Sequence, residues 1–297
     1  MPPLAALLLA GLLLAGGVAK AAPITVRDAE GRVVRLAAPP QRIVSLAPAV
    51  TENLFAIGAG KRIVGTVDFS DFPEAARRIR RIGSFERFDL EAIVTLRPDI
   101  VIGWQSGNPA APVAQLRALG LPVFLDEAQR IDAVPASIER LGELVGEAAV
   151  ARREADRLRR ELADLRQRFS QRPPVRVFYE IWRSPLITVG GPQLITDVLR
   201  VCGGENVFAH LSTLAPTVSV EAVIAADPEA IIGAGSDERE TVWIDDWKRW
   251  PALTAVARGN IYPVDPDSMH RATPRLFPAA ARVCEQIDEA RRKRPAR

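Results

Sequence analysis

Asp89-Leu-Glu-Ala-Ile-Val-Thr-Leu-Arg-Pro-Asp-Ile-Val-Ile-Gly103 and Ser219-Val-Glu-Ala-Val-Ile-Ala-Ala-Asp-Pro-Glu-Ala-Ile-Ile-Gly233 carry one pattern twice, the second copy starting 130 residues after the first. Each reads as a short amphipathic helix with a carboxylate in its first turn, a proline that stops it, and a buried apolar strand that closes on glycine. Glu91 and Glu221 occupy the same place in the two copies. The chain is therefore built from two related α/β halves, and the space between them is a cleft of the kind a bilobal binding protein uses.

Outward from the first copy, apolar strands alternate with helical patterns. Arg42 to Ala47 reads as a strand, Thr51 to Ile57 as a helix closed by Gly58 and Gly60, and Ile63 to Val67 as a strand. After the copy come a helix from Ala111 to Leu119, closed by Gly120, and a strand from Pro122 to Asp126. Thr51 or a neighbour is the candidate cap of the first helix. This βαβ punctuation predicts a mainly parallel sheet. The second half repeats the order: strands Val175 to Glu180 and Leu186 to Val189, a helix from Gln193 to Val201 closed by Gly203-Gly204, the second copy, a helix ending near Ala257, and Gly259 to Asp265. Gly120 to Asp126 and Gly259 to Asp265 also match in form, so the duplication extends beyond one motif.

Between the halves, Leu158, Leu162, Leu165 and Phe169 recur at three- and four-residue spacing within an Ala-, Arg-, Glu- and Leu-rich run that Pro173-Pro174 stops. That is one amphipathic helix. At ~1.5 Å per residue it extends roughly 35 Å, enough to brace both halves. The expected organisation is a leader at 1–21, an N-terminal lobe at 22–146, a connecting helix at 147–172 and a C-terminal lobe at 173–297. The fold class is α/β: two Rossmann-like βα lobes joined by a single long helix, with the ligand cleft between them.

A chain of 297 residues, 48% hydrophobic, has room for two ordinary cores. Its net charge of +3, from 39 basic and 36 acidic residues, gives no ground for a nucleic-acid partner. The Arg clusters at 77–81, 152–153 and 291–294 read as solvated helix faces. Leu4 to Val18 is an apolar run too short for a comfortable membrane span, and Ala19-Lys20-Ala21 is a small-residue cleavage site, so the mature protein is expected to be exported and soluble. No Lys or Arg precedes the run, which leaves the true start codon open. An exported chain with an even cysteine count favours one disulfide, Cys202 to Cys284, tying the first helix of the C-terminal lobe to the last helix of the chain. Closing so long a loop is worth roughly 3–5 kcal/mol in the entropic model. Two Cys and two His, the latter at 210 and 270, are too few and too scattered for a zinc or iron–sulfur site.

The strings Arg42-Ile-Val-Ser-Leu-Ala-Pro-Ala-Val-Thr-Glu52, Ile102-Gly-Trp-Gln-Ser-Gly-Asn108, Val201-Cys-Gly-Gly-Glu-Asn-Val-Phe208 and Arg271-Ala-Thr-Pro-Arg275 resemble the periplasmic cobalamin (corrinoid)-binding proteins of ABC importers. These belong to the helical-backbone, class III substrate-binding proteins, which also carry haem and ferric siderophores. The resemblance runs from about Ile43 to about Ile287 and implies a transport receptor with no cofactor of its own, cobalamin being its cargo. It implies a periplasmic monomer that delivers the corrinoid to a permease dimer with its ATPase subunits. Haem or a ferric siderophore is the alternative cargo.

A corrinoid is a large amphipathic ring edged with amides, held by aromatic surface and a few polar groups at the rim. By the resemblance, Phe69, Phe85, Trp104, Trp182, Asp267 and Arg271 line the cleft. Their positions on loops beside strand ends suit this. Ordinary packing is the plainer reading of any one of them. The Asp267-Ser-Met-His-Arg271 loop departs from the family pattern, since Ser268 and Met269 stand where a large aromatic is expected. Arg271 suits ring amides or carboxylates, and Asp267 suits orienting it or touching ligand. His270 is the one cleft residue able to ligate cobalt or haem iron, an exposed loop histidine being the plainer reading. Tyr179 and Tyr262 read as core. For Glu91 and Glu221 the resemblance implies docking, one carboxylate per lobe, on arginines of the permease. A carboxylate at a helix start also suits the dipole without any partner. An exported enzyme is the competing class, and neither half carries a serine nucleophile elbow, a His-rich metal motif or a Gly-rich phosphate loop.

Overall fold

The computed structural model describes residues 23–235 and 243–295. The leader expected at 1–21 lies outside the described residues. In chain order the elements are β1 (Ile24–Arg27), β2 (Val33–Leu36), β3 (Ile43–Ser45), α1 (Pro48–Ala56), β4 (Ile63–Thr66), α2 (Leu90–Thr95), β5 (Ile100–Trp104), α3 (Ala110–Ala118), β6 (Val123–Asp126), α4 (Val134–Val145) and α5 (Ala148–Phe169). Then follow β7 (Val175–Glu180), α6 (Leu194–Val201), β8 (Gly204–Asn206), α7 (Val220–Ala226), β9 (Ala230–Ala234), α8 (Trp243–Lys248), α9 (Thr254–Ala257), β10 (Ile261–Val264), α10 (Pro266–Met269) and α11 (Leu276–Arg292).

Two four-stranded sheets, ordered β4-β3-β5-β6 and β8-β7-β9-β10, are parallel throughout. Counted from the first strand of each four-stranded sheet, both read second, first, third, fourth. The internal repeat in the sequence is thus a repeat of topology, and crossover helices cover the faces as parallel strands require. The two copies agree in detail. Asp89 caps α2 by accepting from the Ala92 amide at 3.0 Å, and Ser219 caps α7 through the Ala222 amide at 3.2 Å. Arg97 and Asp227, each just before the stopping proline, both turn left-handed, with φ of 46° and 39°. A residue before proline is barred from continuing the helix, so the chain turns here at some steric cost. At Asp227 the turn aims the carboxylate at the Thr254 amide and hydroxyl, both at 2.8 Å.

The connecting helix is α5, which spans 22 residues, or about 33 Å. It buries Ala151, Ala155, Leu158, Leu162, Leu165 and Phe169 as one stripe, the face that the spacing predicts. It does not work alone. α4 packs along it, joined through Gly146 in the left-handed region (φ 77°), and at Gly142 an added Cβ would collide with Ala151. One apolar core runs from β1 and β2 through α1, α4 and α5 into α6, α11 and the C-terminal sheet, so the lobes share a continuous interior.

Several expectations need correction. α1 begins at Pro48, whose fixed φ suits a first helical position, and its N-cap Ala47 makes no side-chain bond. Thr51 is therefore no cap. Inside the helix its hydroxyl joins a buried cluster with Ser45 at 2.8 Å and Thr66 at 2.7 Å. Leu186 to Val189 is not a strand of the sheet: Ile187 makes only isolated bridges to Trp182 and Thr217. The antiparallel β1–β2 pair, too short to stand out by periodicity, packs Val26, Val34 and Leu36 into the shared core. The arginines at 291 and 294 are not a solvated face. Arg291 pairs with buried Asp288 and donates to the Pro173 carbonyl at 2.7 Å, while Arg294 reaches Glu229 at 2.7 Å, locking α11 onto the C-terminal lobe. Arg77 and Arg78 lie on a 3-10 turn, Glu74–Arg78, and are exposed.

Candidate functional site

In parallel α/β sheets, ligands sit beyond the carboxyl ends of the strands. Trp104 is the last residue of β5, and its loop is the most thoroughly pinned at this end. Asn108, 8% exposed, accepts from the Trp104 amide at 2.6 Å and donates to the carbonyls of Leu46 at 3.0 Å and Phe85 at 2.8 Å. One side-chain amide thus ties three loops together. Glu127 accepts from the indole Nε1 of Trp104 at 3.3 Å and from the Ser106 amide at 2.9 Å. The indole lies over Gly107, where a Cβ would collide with its six-membered ring. Phe85 stands 6.0 Å from Trp104 between ring centroids. The result is a preorganised aromatic surface, with Trp104 37% exposed.

Past β4, Phe69 is 67% exposed and left-handed at φ 63°, an unfavourable setting for a bulky residue on both counts. Phe72, on the same loop, is 45% exposed and carries the Arg275 guanidinium 4.2 Å over its ring. Past β7, Trp182 is 61% exposed and its Nε1 donates to the Ser184 carbonyl at 2.9 Å. Behind it lies a buried polar group: the Glu180 carboxylate accepts from the Trp247 indole at 2.6 Å, with Arg183 at 3.6 Å and stacked over Trp247. Burial pushes the Glu180 carboxyl up to about 7, against the opposing pull of Trp247 and Arg183.

The loop past β10 makes a polar contact between the lobes. Arg271 donates to Glu52 of α1 at 2.6 Å and to Asp267 at 2.5 Å. Arg275 grips the same Glu52 through two bonds, at 2.9 and 2.8 Å, and the Asn53 amide donates to the Ala272 carbonyl at 3.1 Å. Asp267 therefore orients Arg271. His270 is neither an exposed loop residue nor an open metal ligand. Its Nε2 is 3.0 Å from the hydroxyl of Tyr179, which is fully buried. Burial, reinforced by the Arg271 cation, pulls its pKa down to about 4. Tyr179 and Tyr262 are core residues, as expected.

The structure brings Phe85 to Trp104, and Arg271 to Asp267, while Phe69 and Trp182 stand free on their own strand-end loops. Glu52, Phe72, Asn108 and Arg275 were not singled out as site residues. Asn108 was legible as the end of a Ser-Gly-Asn turn, whereas the pairing of Glu52 with residues more than 200 positions later had no local signal. Glu91 and Glu221 are exposed at equivalent places in the first turns of α2 and α7. Cys202, at the end of α6, is bonded to Cys284 of α11. Among the described residues no three His, Cys, Asp or Glu group as metal ligands, and no helix is long and apolar enough to cross a membrane. Cavities of about 310 Å³ beside His210 and 530 Å³ between α5 and α11 hold none of the expected cleft residues.

Two α/β lobes of one topology, joined by a helix and presenting strand-end loops to a shared crevice, define a bilobal, helix-linked binding protein. The chain belongs to the periplasmic binding protein family, whose sequence model matches residues 43–268. It is similar to the vitamin B12-binding protein of Vibrio parahaemolyticus, 32% identical over 256 residues, which cover 86% of this chain and 92% of the relative. Among solved structures it is similar to the periplasmic vitamin B12 binding protein BtuF of Vibrio cholerae, at 32% identity and a TM-score of 0.79, covering 85% of this chain and 98% of the other. The periplasmic haem-binding protein RhuT of Roseiflexus sp. RS-1 matches at 26% identity and a TM-score of 0.74, covering 84% and 99%.

Proposed function

We propose that this protein captures a corrinoid, with cobalamin as its cargo, in the interlobe crevice and hands it to an ABC importer. The observation that carries the reading is the Trp104 surface, an exposed indole fixed over Gly107 and backed by Phe85. A rigid aromatic plane suits the flank of a large amphipathic ring, since little side-chain freedom is lost on binding. The vitamin B12-binding relatives support the cargo. In this reading Phe69, Phe85, Trp104 and Trp182 supply apolar surface, and Asp267 and Arg271 form the polar rim. Residues 22–146 and 173–297 are the lobes, 147–172 the connection, and 1–21 a leader that sends a monomer to the periplasm. Glu91 and Glu221 dock it on a permease dimer served by ATPase subunits. Haem is the second reading, favoured by the RhuT likeness, but His270 is bonded to Tyr179 and would have to turn to ligate iron.

Calorimetric titration of the purified chain with cyanocobalamin, cobinamide and haemin tests the assignment. Saturable one-to-one binding of the corrinoids, tighter than haemin, is expected. Tight haemin binding with no heat from either corrinoid would transfer the assignment to haem.

A further inference from the structure

Glu52 is a nearly fully buried carboxylate, 3% exposed, and it holds two guanidiniums from the other lobe. It projects from the helix that follows β3, and Arg271 and Arg275 lie on the loop that follows β10, so the cluster stands at the strand-end side of both sheets. The cluster keeps an open side: the side chains of Arg271 and Arg275 are 12% and 24% exposed, and the Asp267 carboxylate is 57% exposed. Asp265, the α10 cap, adds a third carboxylate that acts on Arg275, so the two cations are fully matched by Glu52, Asp267 and Asp265 and neither is left in excess. Arg183, on the loop past β7, is likewise matched, by Asp246 at 3.1 Å and Glu180 at 3.6 Å.

We propose that Glu52 is a specificity-determining residue: it keeps both guanidiniums of the crevice floor matched by carboxylate and sets the positions of Arg271 and Arg275, so that a ring edged with neutral amides is accepted and one bearing carboxylates is disfavoured. The inference rests on the corrinoid reading and adds a reason for it. Were Glu52 neutral, Arg275 would lose the carboxylate it donates to, and its freed N–H groups could donate to a ligand carboxylate instead. Discrimination by charge needs such a matched site, because apolar surface alone separates amide from acid poorly. Arg275 also carries the position of Glu52 to the loop past β4 through its stack on Phe72.

The test is the ratio of affinities for two ligands of one shape and different charge: cyanocobalamin and its monocarboxylate, in which one ring amide is hydrolysed. In the unaltered protein the amide form is expected to bind at least tenfold tighter. Glu52→Gln should move the ratio toward the acid by about tenfold, in a manner that weakens with salt, and Glu52→Asp should retain the original preference. Arg275→Gln, which leaves an excess carboxylate, should move the ratio the other way and serves as the arm if Glu52→Gln does not fold. A merely structural role would weaken both ligands equally, and an unchanged ratio in folded Glu52→Gln or Arg275→Gln overturns the proposal. Haemin and its dimethyl ester are run in parallel. If neither corrinoid binds the unaltered protein, the corrinoid reading fails, and the ester-to-acid ratio across the same variants still decides the role of Glu52.

Discussion

His270 and Glu180 are displaced by burial into overlapping pH ranges with opposite consequences. His270 falls from 6.5 to about 4, so between these values the unfolded chain binds the extra proton. Its contribution is present above 6.5 and lost as pH falls through about 4, on the order of 3 kcal/mol in all. Glu180 rises from 4.5 to about 7, so the native state holds the extra proton. Its contribution, of similar order, is present below 4.5 and lost as pH rises through about 7. The two slopes oppose each other in the shared window. Urea unfolding of Glu180→Gln should therefore show stability climbing with pH between 4.5 and 6.5, and His270→Gln should show it falling, with the unaltered protein flatter than either. A second residue-scale expectation concerns Trp104. Replacement by Ala should cost about 2 kcal/mol of corrinoid binding, roughly thirtyfold in Kd, with the melting temperature little changed. Unaltered affinity would remove the indole from the ligand surface.

Among the elements, the α6–α11 pair is the one joined covalently. The Cys202–Cys284 bond closes a loop of 82 residues in separation, and the chain-entropy model assigns such a closure about 4–5 kcal/mol. Replacing both cysteines with Ser should lower the unfolding free energy from urea titration by that amount without altering ligand affinity, since neither residue lies at the strand-end loops. Alkylation of native protein should find no free thiol until a reductant is added. The two short helices of the repeat show how local chemistry makes an element. Asp89 or Ser219 starts it, Glu91 or Glu221 follows in its first turn, and a left-handed residue before proline ends it.

At the scale of the molecule, Glu91 and Glu221 are exposed at matched places on α2 and α7, and the proposed docking on a dimeric permease rests on that match, since a two-fold partner would present the same basic patch twice. Reversing both to Arg should leave ligand affinity intact and abolish uptake and complex formation with the native permease. Each single reversal should give a partial defect that varies with salt, as exposed charge pairs do. Full uptake by the double variant would reduce both to helix-start residues. The shared core through α5 argues for small lobe movements, because separating the lobes would expose apolar surface.

Periodicity, punctuation and cysteine count determined the duplicated α/β lobes, the α5 helix with its buried stripe, the cysteine pair and the strand-end placement of Trp104 and Trp182. All of these rest on contacts or constraints within a few residues along the chain, or on composition. Only the tertiary structure decided that Glu52 faces Arg271 and Arg275, that Arg275 covers Phe72, that Asn108 binds three loops and that His270 turns inward to Tyr179. Those arrangements join groups from separate loops or opposite lobes. The pattern that places a residue at a strand end says nothing of which distant charge or ring will meet it there, because that choice is made by the packing of the lobes around their common core.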